Sequence, residues 1–375
     1  MKKRILIPYA TYGSGHKSIA LYIKKYFEET GEYECLTLDL ISYSIPIIGT
    51  LSKKSSEFIM TRFPWLWSLI YFSFNNKLSA YVSGKISLKI FDNKELKETI
   101  RKFNPDITIA THFFGSDIIN KYNKKGITNS KLVTVVTDYH SHEFWLNSLK
   151  NIDAIIVGSI EERIYLLKKG FKNKQIHTTG IPLSPDMIKN LNIDELKKKF
   201  KIKNNKKTVL FFAGGGNGTI VNLTYFKEIL KQNYDCNVLF IAGKDKTAER
   251  IAKNYVKKYK RENVHVYGFV TNVNEFYYIS DFVITKPGGA QVTECLLFNK
   301  PILLVKGNGG QEVENRRYLV RKGYAKRVRG KDTFNRYFKE MLYNEKALNK
   351  MTNKISKIDQ SKSMENLYKI VEKLK

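Results

Sequence analysis

Short apolar runs alternate with amphipathic stretches along almost the whole chain. The runs are rich in β-branched residues and are bounded by Gly, Pro, Asn or Asp, which predicts short buried strands. Most stretches between them repeat their apolar residues at helical spacing. Buried strands that alternate with helices are typical of parallel sheets, so we expect an α/β fold. The predicted strands cover residues 4–8, 33–38, 107–110, 132–137, 154–157, 208–213, 237–241, 264–266, 282–285 and 301–305.

The strands fall into two series, which predicts two doubly wound, Rossmann-like domains that face each other across a cleft. We expect the join near residues 180–185, just before a lysine-rich segment at residues 197–207. The predicted domains are residues 1–185 and residues 186–345. Residues 346–375 are expected to form a helical tail that packs back on the first domain.

One segment, residues 41–91, interrupts this alternation. Its centre, residues 63–74, is almost wholly apolar and includes Trp65 and Trp67. About a dozen apolar residues are too few to span a bilayer, which needs roughly 20. Because basic residues surround it, the segment suits a membrane interface, with its tryptophans at the level of the headgroups. The alternative is that these aromatic side chains form a core.

Composition and charge narrow the class of protein. The chain has 375 residues, enough for two domains, and 42% of them are hydrophobic, as in folded proteins. Three widely spaced cysteines predict neither a disulfide framework nor a zinc site and indicate a reducing cytoplasm. The net charge of +30 favours anionic partners, namely nucleic acid, acidic lipid or phosphorylated substrates, although many lysines also suit ordinary helix faces. No helix-turn-helix, RNP or zinc-finger pattern supports binding of nucleic acid.

The segment with the clearest chemistry is residues 285–294, a glycine turn between a strand and a helix. Pro287 fixes the backbone, and Gly288 and Gly289 let a ligand approach closely. The first turn of the helix then presents free N–H groups to an anion. Glu294 follows about one turn later, where a carboxylate suits a ribose diol. The segment therefore predicts a nucleotide-sugar pocket.

Three further loops suit the same pocket. The loop at residues 214–218 places four glycines after a strand, which favours a phosphate or a closely approaching substrate. At residues 268–273 the backbone can contact the edge of a base while Phe269 packs on its face, although a core position is the default for this side chain. Gln311 and Glu312 suit sugar hydroxyls, or the ordinary start of a helix.

The first strand-to-helix turn, residues 10–18, leaves two interpretations open. Gly13 and Gly15, with Asp39 after the second strand, look like a dinucleotide fingerprint and would suit a dehydrogenase. His16 is unusual in such a turn. A histidine at a helix start, with a pKa near neutrality, suits a general base, or else it is only hydrogen-bonded locally.

Polar residues also follow the predicted strands at His112 and at residues 137–142. Ligands of doubly wound folds bind outside the carboxyl ends of the strands, so His112, Asp138 and His142 predict a substrate-contacting loop. A metal site is disfavoured, because the spacing of His140 and His142 is poor for a tetrahedral cage and no cysteine is near.

Taken together, these motifs resemble those of the processive diacylglycerol glucosyltransferases. That family is grouped with the monogalactosyldiacylglycerol synthases and, more distantly, with the N-acetylglucosaminyltransferase of peptidoglycan synthesis. The resemblance covers nearly the whole chain, with the motifs in order. They are ATYGSGH at residues 10–16, TDYHSHEFW at 137–145, TGIP at 179–182, TKPGG at 285–289 and GQEVEN at 310–315.

The resemblance implies a GT-B fold whose first domain binds a lipid acceptor and whose second binds a UDP-sugar. It also implies inverting transfer without a metal or other cofactor, with His16 as the general base and Glu294 on the uridine ribose. The donor-binding residues it implies are Gly216, Asn217, Phe269, Val270, Lys286, Pro287, Gly288, Gly289, Glu294, Gln311 and Glu312. The residues it implies near the acceptor are Gly13, Gly15, His112, Asp138, His142 and Trp145, with Trp65 and Trp67 toward the membrane.

We therefore expect a hexosyltransferase that moves glucose or galactose from a UDP-sugar to diacylglycerol. It is expected to be cytoplasmic and peripheral on the inner face of the cell membrane, with anionic lipid and no nucleic acid as partner. The galactosyl branch carries Asp at the position of Thr11, so the chain is closer to the glucosyl branch. Residues 306–309, however, replace a proline-containing loop beside the sugar, so the identity of the transferred sugar stays open. The alternatives are the same fold acting on a peptidoglycan or polyprenyl-linked acceptor and, more distantly, an NAD-dependent oxidoreductase.

Overall fold

Two six-stranded parallel sheets organise the described part of the computed structural model. The chain divides into two units, of which the first comprises Met1–Pro185 with Gln360–Lys375 and the second comprises Asp186–Asp359. The structure describes residues 2–11, 15–43, 63–73, 75–147, 151–188, 191–203, 205–214, 219–307 and 309–374.

In the first unit, helices connect six parallel strands. The strands are β1 (Lys3–Tyr9), β2 (Tyr33–Asp39), β3 (Ile107–Ala110), β4 (Lys131–Val135), β5 (Ala154–Val157) and β6 (Ile176–Thr178). The helices are α1 (Gly15–Glu29), α2 (Pro64–Ser73), α3 (Lys77–Phe91), α4 (Lys94–Phe103), α5 (Phe113–Lys124), α6 (Ile160–Lys168) and, after the second unit, α15 (Ser363–Glu372). The helices follow the predicted periodicity; α1, for example, buries Ile19, Ala20, Ile23 and Phe27.

The strand order of the first sheet is β2-β1-β3-β4-β5-β6. In the register of β1, Ile5 lies opposite Cys35 of β2 on one side and Ile107 of β3 on the other. The direction of winding reverses between β1 and β3. The loops that follow these two strands therefore lie side by side at the carboxyl edge, the usual binding position of doubly wound sheets.

The second unit repeats the alternation of strand and helix. Its strands are β7 (Thr208–Phe212), β8 (Asn237–Ile241), β9 (Val264–Tyr267), β10 (Phe282–Thr285), β11 (Ile302–Leu304) and β12 (Ala325–Arg327). Its helices are α7 (Ile193–Lys199), α8 (Thr219–Gln232), α9 (Lys246–Tyr259), α10 (Val273–Ile279), α11 (Gly289–Leu297), α12 (Gln311–Lys322), α13 (Lys331–Tyr343) and α14 (Glu345–Ile355). The sheet order is β12-β11-β10-β7-β8-β9, so the winding reverses between β7 and β10.

The edge strands and the C-terminal helices differ from the sequence prediction. The edge strands β6 and β12 were not predicted, since each has three residues of mixed polarity. The segment expected to form a single tail contributes to both units: α14 belongs to the second, and α15 belongs to the first. Helix α15 packs on α1 and β2, where the ring of Tyr368 lies 5.5 Å from that of Phe27 and 6.2 Å from that of Tyr33.

The apolar segment of the predicted insert forms α2, and α3 follows it. Among the described residues, no helix has both the length and the apolar character needed to cross a membrane. Several large apolar side chains of these helices are instead exposed: Trp65 keeps 67% of its surface and Leu78 keeps 73%. For Trp65 the core interpretation is therefore wrong.

Candidate active site

His16 lies in the first turn of α1, at the reversal point of the first sheet. Its Nδ1 is 2.8 Å from the carbonyl oxygen of Thr111 and 2.9 Å from the hydroxyl of Thr137. Because a carbonyl oxygen can only accept, Nδ1 carries the proton and the neutral ring keeps its lone pair on Nε2. A general base needs such a lone pair.

The surroundings of His16 favour the neutral form. Burial lowers the pKa of His16 below its ordinary value, while the nearby Asp138 carboxylate and the Thr111 carbonyl oppose that shift. The buried ring of His112 meets it edge-on, with centroids 4.7 Å apart. Burial, and then the proximity of His16, lower the pKa of His112 well below its ordinary value. Both imidazoles are therefore neutral at physiological pH.

His142 has a different role. Its Nδ1 accepts a hydrogen bond from the backbone N–H of Phe144, and its Nε2 donates to the carbonyl oxygen of Tyr71 at 2.8 Å. Nε2 thus ties the loop after β4 to α2, while Nδ1 caps the short turn that begins at Glu143. Burial lowers the pKa of His142, and the hydrogen bond to Tyr71 opposes that shift.

The remaining residues predicted near the acceptor lie in different places. Gly15 is the first residue of α1. Trp145 is buried in the core of the first unit, with its ring 5.8 Å from that of Phe113. Gly13 lies outside the described residues, as does the side chain of Trp67.

Asp39, the residue on which the dehydrogenase alternative rests, holds its own loop. One carboxylate oxygen accepts from the backbone N–H groups of Thr11 and Ile41, and the other accepts from the Thr11 hydroxyl. A ribose-binding carboxylate would need these oxygens for the nucleotide. The contacts therefore give Asp39 a structural role.

Two of the predicted donor segments begin at the reversal point of the second sheet. Gly214 follows β7 with φ of 87°, a conformation that favours glycine, and the turn after β10 leads into α11. The first N–H groups of α11 have no partner within the helix and carry the positive end of its dipole. An anion is therefore favoured there.

Lys286 and Glu312 join this turn to α12. The Lys286 ammonium lies 2.8 Å from the Glu312 carboxylate, and both side chains are largely buried. Asn315 donates to the carbonyl oxygen of Pro287 at 3.1 Å, a second link between the same elements. The Glu312 carboxylate thus balances the charge of the Lys286 ammonium, which lies next to the anion-favouring turn. Gln311 opens α12, and Gly288 and Gly289 begin α11.

Glu294 lies on α11 with a partly exposed side chain. Burial raises its pKa to about 7, and a hydrogen bond from Tyr277 opposes that shift. The two oxygens are 3.1 Å apart. Sequence reasoning missed Tyr277, because its position in α10 shows only the spacing of a core aromatic residue.

The residues predicted to contact the uracil ring, Phe269 and Val270, lie at the surface of the second unit. Phe269 is 61% exposed, so the core default is wrong for it, and the Lys244 ammonium lies 5.1 Å from its ring centroid. Val270 is partly exposed. Gly216 and Asn217 lie outside the described residues. Within the described ranges, no three His, Cys, Asp or Glu side chains are grouped so as to hold a metal ion.

Two family models match the chain. The model for monogalactosyldiacylglycerol synthase matches residues 16–183, and the model for glycosyl transferases group 1 matches residues 192–358. The processive diacylglycerol beta-glucosyltransferase of Bacillus subtilis (strain 168) is 26% identical over 364 residues, covering 97% of this chain and 93% of the relative. The protein of the same name from Bacillus cereus (strain AH187) is 26% identical and covers 87% of this chain and 82% of its own length.

Solved structures with the same fold have low sequence identity. The structure of MnaA with UDP from S. aureus has a TM-score of 0.65 at 16% identity and covers 98% of this chain and 95% of the other. MurG of Acinetobacter baumannii has a TM-score of 0.63 at 12% identity and covers 99% of both chains. These likenesses confirm the predicted GT-B fold. The two family models and the relatives identify the chain as a glycosyltransferase that is similar to the diacylglycerol glucosyltransferases and the monogalactosyldiacylglycerol synthases.

Proposed function

We propose that the chain transfers a hexose, glucose or galactose, from a UDP-sugar to diacylglycerol. The observation that carries this proposal is the neutral His16, held in the Nδ1–H form at the carboxyl edge of the first sheet. The names of the Bacillus relatives support diacylglycerol as acceptor and glucose as sugar. The neighbouring structures that contain UDP, from S. aureus and from Anabaena, support a UDP-sugar as donor.

The reaction follows from the groups at each site. Nε2 of His16 removes the proton from the acceptor hydroxyl as its oxygen attacks the anomeric carbon. The bond between that carbon and the UDP oxygen breaks on the opposite face, so the configuration inverts and UDP leaves. The N-terminus of α11 and the Lys286 ammonium stabilise the charge that develops on the diphosphate. Glu294 accepts hydrogen bonds from the ribose, and Phe269 packs on the uracil.

A divalent ion is not required in this scheme, because the backbone N–H groups at the start of α11 and the Lys286 ammonium donate hydrogen bonds to the diphosphate. Transfer that persists at its full rate in excess chelator is the expected result. Loss of transfer that added magnesium or manganese restores would contradict this part of the proposal.

We propose that α2 and α3 of the first unit bind to the inner face of the cell membrane. The exposed apolar residues of α2 and α3 support this proposal, and so do exposed lysines near them, which attract anionic headgroups. Examples on successive turns are Trp65 (67% exposed) and Leu69 (58%), with Tyr81 (57%) on α3.

The decisive test combines UDP-glucose and UDP-galactose with vesicles that contain diacylglycerol, with and without anionic lipid, and separates the lipid products by thin-layer chromatography. We expect glycosyldiacylglycerol, with more product on anionic vesicles. His16→Ala serves as the inactive control. Failure of every UDP-sugar to glycosylate diacylglycerol would overturn the proposal, and transfer to a polyprenyl-linked acceptor instead would establish the main alternative. Thermal stabilisation by NAD but not by UDP would favour the oxidoreductase.

A further inference from the structure

Tyr277 is a fully buried tyrosine whose hydroxyl meets the candidate ribose ligand. Its ring stacks on that of Phe298, with centroids 5.0 Å apart and planes 5° from parallel, and lies 5.7 Å from that of Phe212. The hydroxyl is 3.1 Å from Oε2 of Glu294. Burial raises the pKa of Tyr277 well above its ordinary value. The hydroxyl therefore stays protonated and donates a hydrogen bond to the Glu294 carboxylate.

This contact limits the freedom of the Glu294 side chain. A glutamate at the surface samples many rotamers, and a ligand that needs one of them loses affinity by ordering it. The stacked ring of Phe298 and the tilted ring of Phe212 hold Tyr277 in place, and its hydroxyl then fixes one carboxylate oxygen. A carboxylate accepts about four hydrogen bonds, so capacity for two ribose hydroxyls remains after Tyr277 has donated one.

We propose that Tyr277 is a positioning residue that orients the Glu294 carboxylate toward the 2′- and 3′-hydroxyls of the donor nucleotide, and so sets the preference for ribose over deoxyribose. The inference rests on the proposed function, because it needs a nucleotide at Glu294. It extends that function by giving the selectivity to a residue that does not itself contact the donor.

The test compares Tyr277→Phe with Tyr278→Phe. The second is a matched control, because Tyr278 is the neighbouring tyrosine and its ring also contacts Phe298, at 5.1 Å. UDP and 2′-deoxy-UDP are measured as competitive inhibitors of transfer. In Tyr277→Phe we expect the donor KM to rise about fivefold with kcat within about twofold, and the preference for UDP over 2′-deoxy-UDP to fall by a similar factor. Tyr278→Phe should behave as wild type.

Two further readouts separate positioning from a merely structural effect. In the double variant Tyr277→Phe with Glu294→Gln, the donor KM should equal that of Glu294→Gln alone, because the tyrosine acts only through the carboxylate. The hydrogen bond from Tyr277 favours the ionised form of Glu294, so its loss in Tyr277→Phe should raise the pKa of that carboxyl group. The pH at which the donor KM changes should rise with it. In the part of the chain that the structure describes, the titratable groups that interact with Glu294 are Tyr277 from α10 and Cys295 from its own helix.

Wild-type KM, selectivity and pH dependence in Tyr277→Phe would overturn the inference. Should that variant fail to fold, Phe298→Leu removes the stacked ring but keeps the hydroxyl, and it should lower the preference for UDP in smaller measure; unchanged selectivity there would equally overturn it. If Glu294→Gln leaves the donor KM unchanged, or UDP does not inhibit the wild type, the proposed donor site itself fails. The two failures are thus distinguishable.

Discussion

His16 has the properties of a base that works at neutral pH. Its Nδ1 is committed to Thr111, and burial keeps its pKa below the ordinary 6.5. The neutral form, which is the active one, therefore persists to lower pH than for an exposed histidine. We expect the acid limb of the kcat profile to have its midpoint below 6.5.

Replacing this base should affect the chemical step. His16→Ala is expected to lower kcat by about 10²- to 10⁴-fold with little change in the donor KM, as for loss of a general base. Steady-state kinetics with the UDP-sugar measures both constants. His177→Ala, which changes a histidine on the edge strand β6, is the control and should retain activity. Near-normal kcat in His16→Ala would mean that another group, such as Asp138, removes the proton.

Glu294 lowers stability as the pH rises. Its folded pKa of about 7 lies above the ordinary 4.5, so the folded state binds its proton more tightly than the unfolded chain does. The stability that this proton contributes is complete below pH 4.5 and is lost as the pH rises through 7. We expect Glu294→Gln to melt at a higher temperature than the wild type at pH 8 and at the same temperature at pH 4. Equal melting temperatures at both pH values would refute the shifted pKa.

At this scale, the sequence predicts residue types better than contacts. The turn around Gly288 and Gly289 was assigned correctly to a strand-to-helix junction, because glycine and proline leave a local signal. The pairs His16–Thr111 and Tyr277–Glu294 leave none, because packing between separate elements brings them together.

Among whole elements, the strands most easily predicted are those buried on both faces. β3, β5 and β10 have continuous apolar or β-branched sequences, and the predicted bounds of all three are the observed ones. β6 and β12 lie at sheet edges, where His177 and Lys326 can face solvent and break the apolar pattern. Their pairing is determined by the neighbouring strand, which a local pattern does not reveal.

Helix α2 exposes apolar side chains at positions where a surface helix of a soluble protein usually has polar ones. Trp65 and Leu69 lie one turn apart and are 67% and 58% exposed. We expect Trp65→Ala with Leu69→Ala to weaken binding to anionic vesicles about tenfold, as measured by sedimentation, while the melting temperature stays unchanged. Ile193→Ala, at an exposed apolar residue of the second unit, is the control. A variant that unfolds would show that this face is packed, and unchanged binding would show that it does not meet the membrane.

At the scale of the whole molecule, the first unit is assembled from two distant parts of the chain. Residues of α15 cover α1 and β2, with Met364, Leu367 and Val371 almost fully buried. Deleting residues 360–375 removes these three side chains, which costs on the order of 5 kcal/mol.

That deletion should destabilise the first unit and leave the second folded. Limited proteolysis with mass spectrometry is the measurement, and we expect early cleavage within residues 1–185 and a protected fragment from residues 186–359. Lys369→Ala is the control, since its ion pair with Glu365 is exposed and contributes little. Equal protection of both units after the deletion would contradict the role of α15.

The division of the first unit has a consequence for how the protein is made. A ribosome adds residues in chain order, so all six strands of the first sheet emerge before any of the second unit, and α15 emerges after the second unit. Until then, the surface of Phe27 and Tyr33 that Tyr368 covers is open to other proteins in the cell. The first unit therefore begins to be translated before the second but is completed after it.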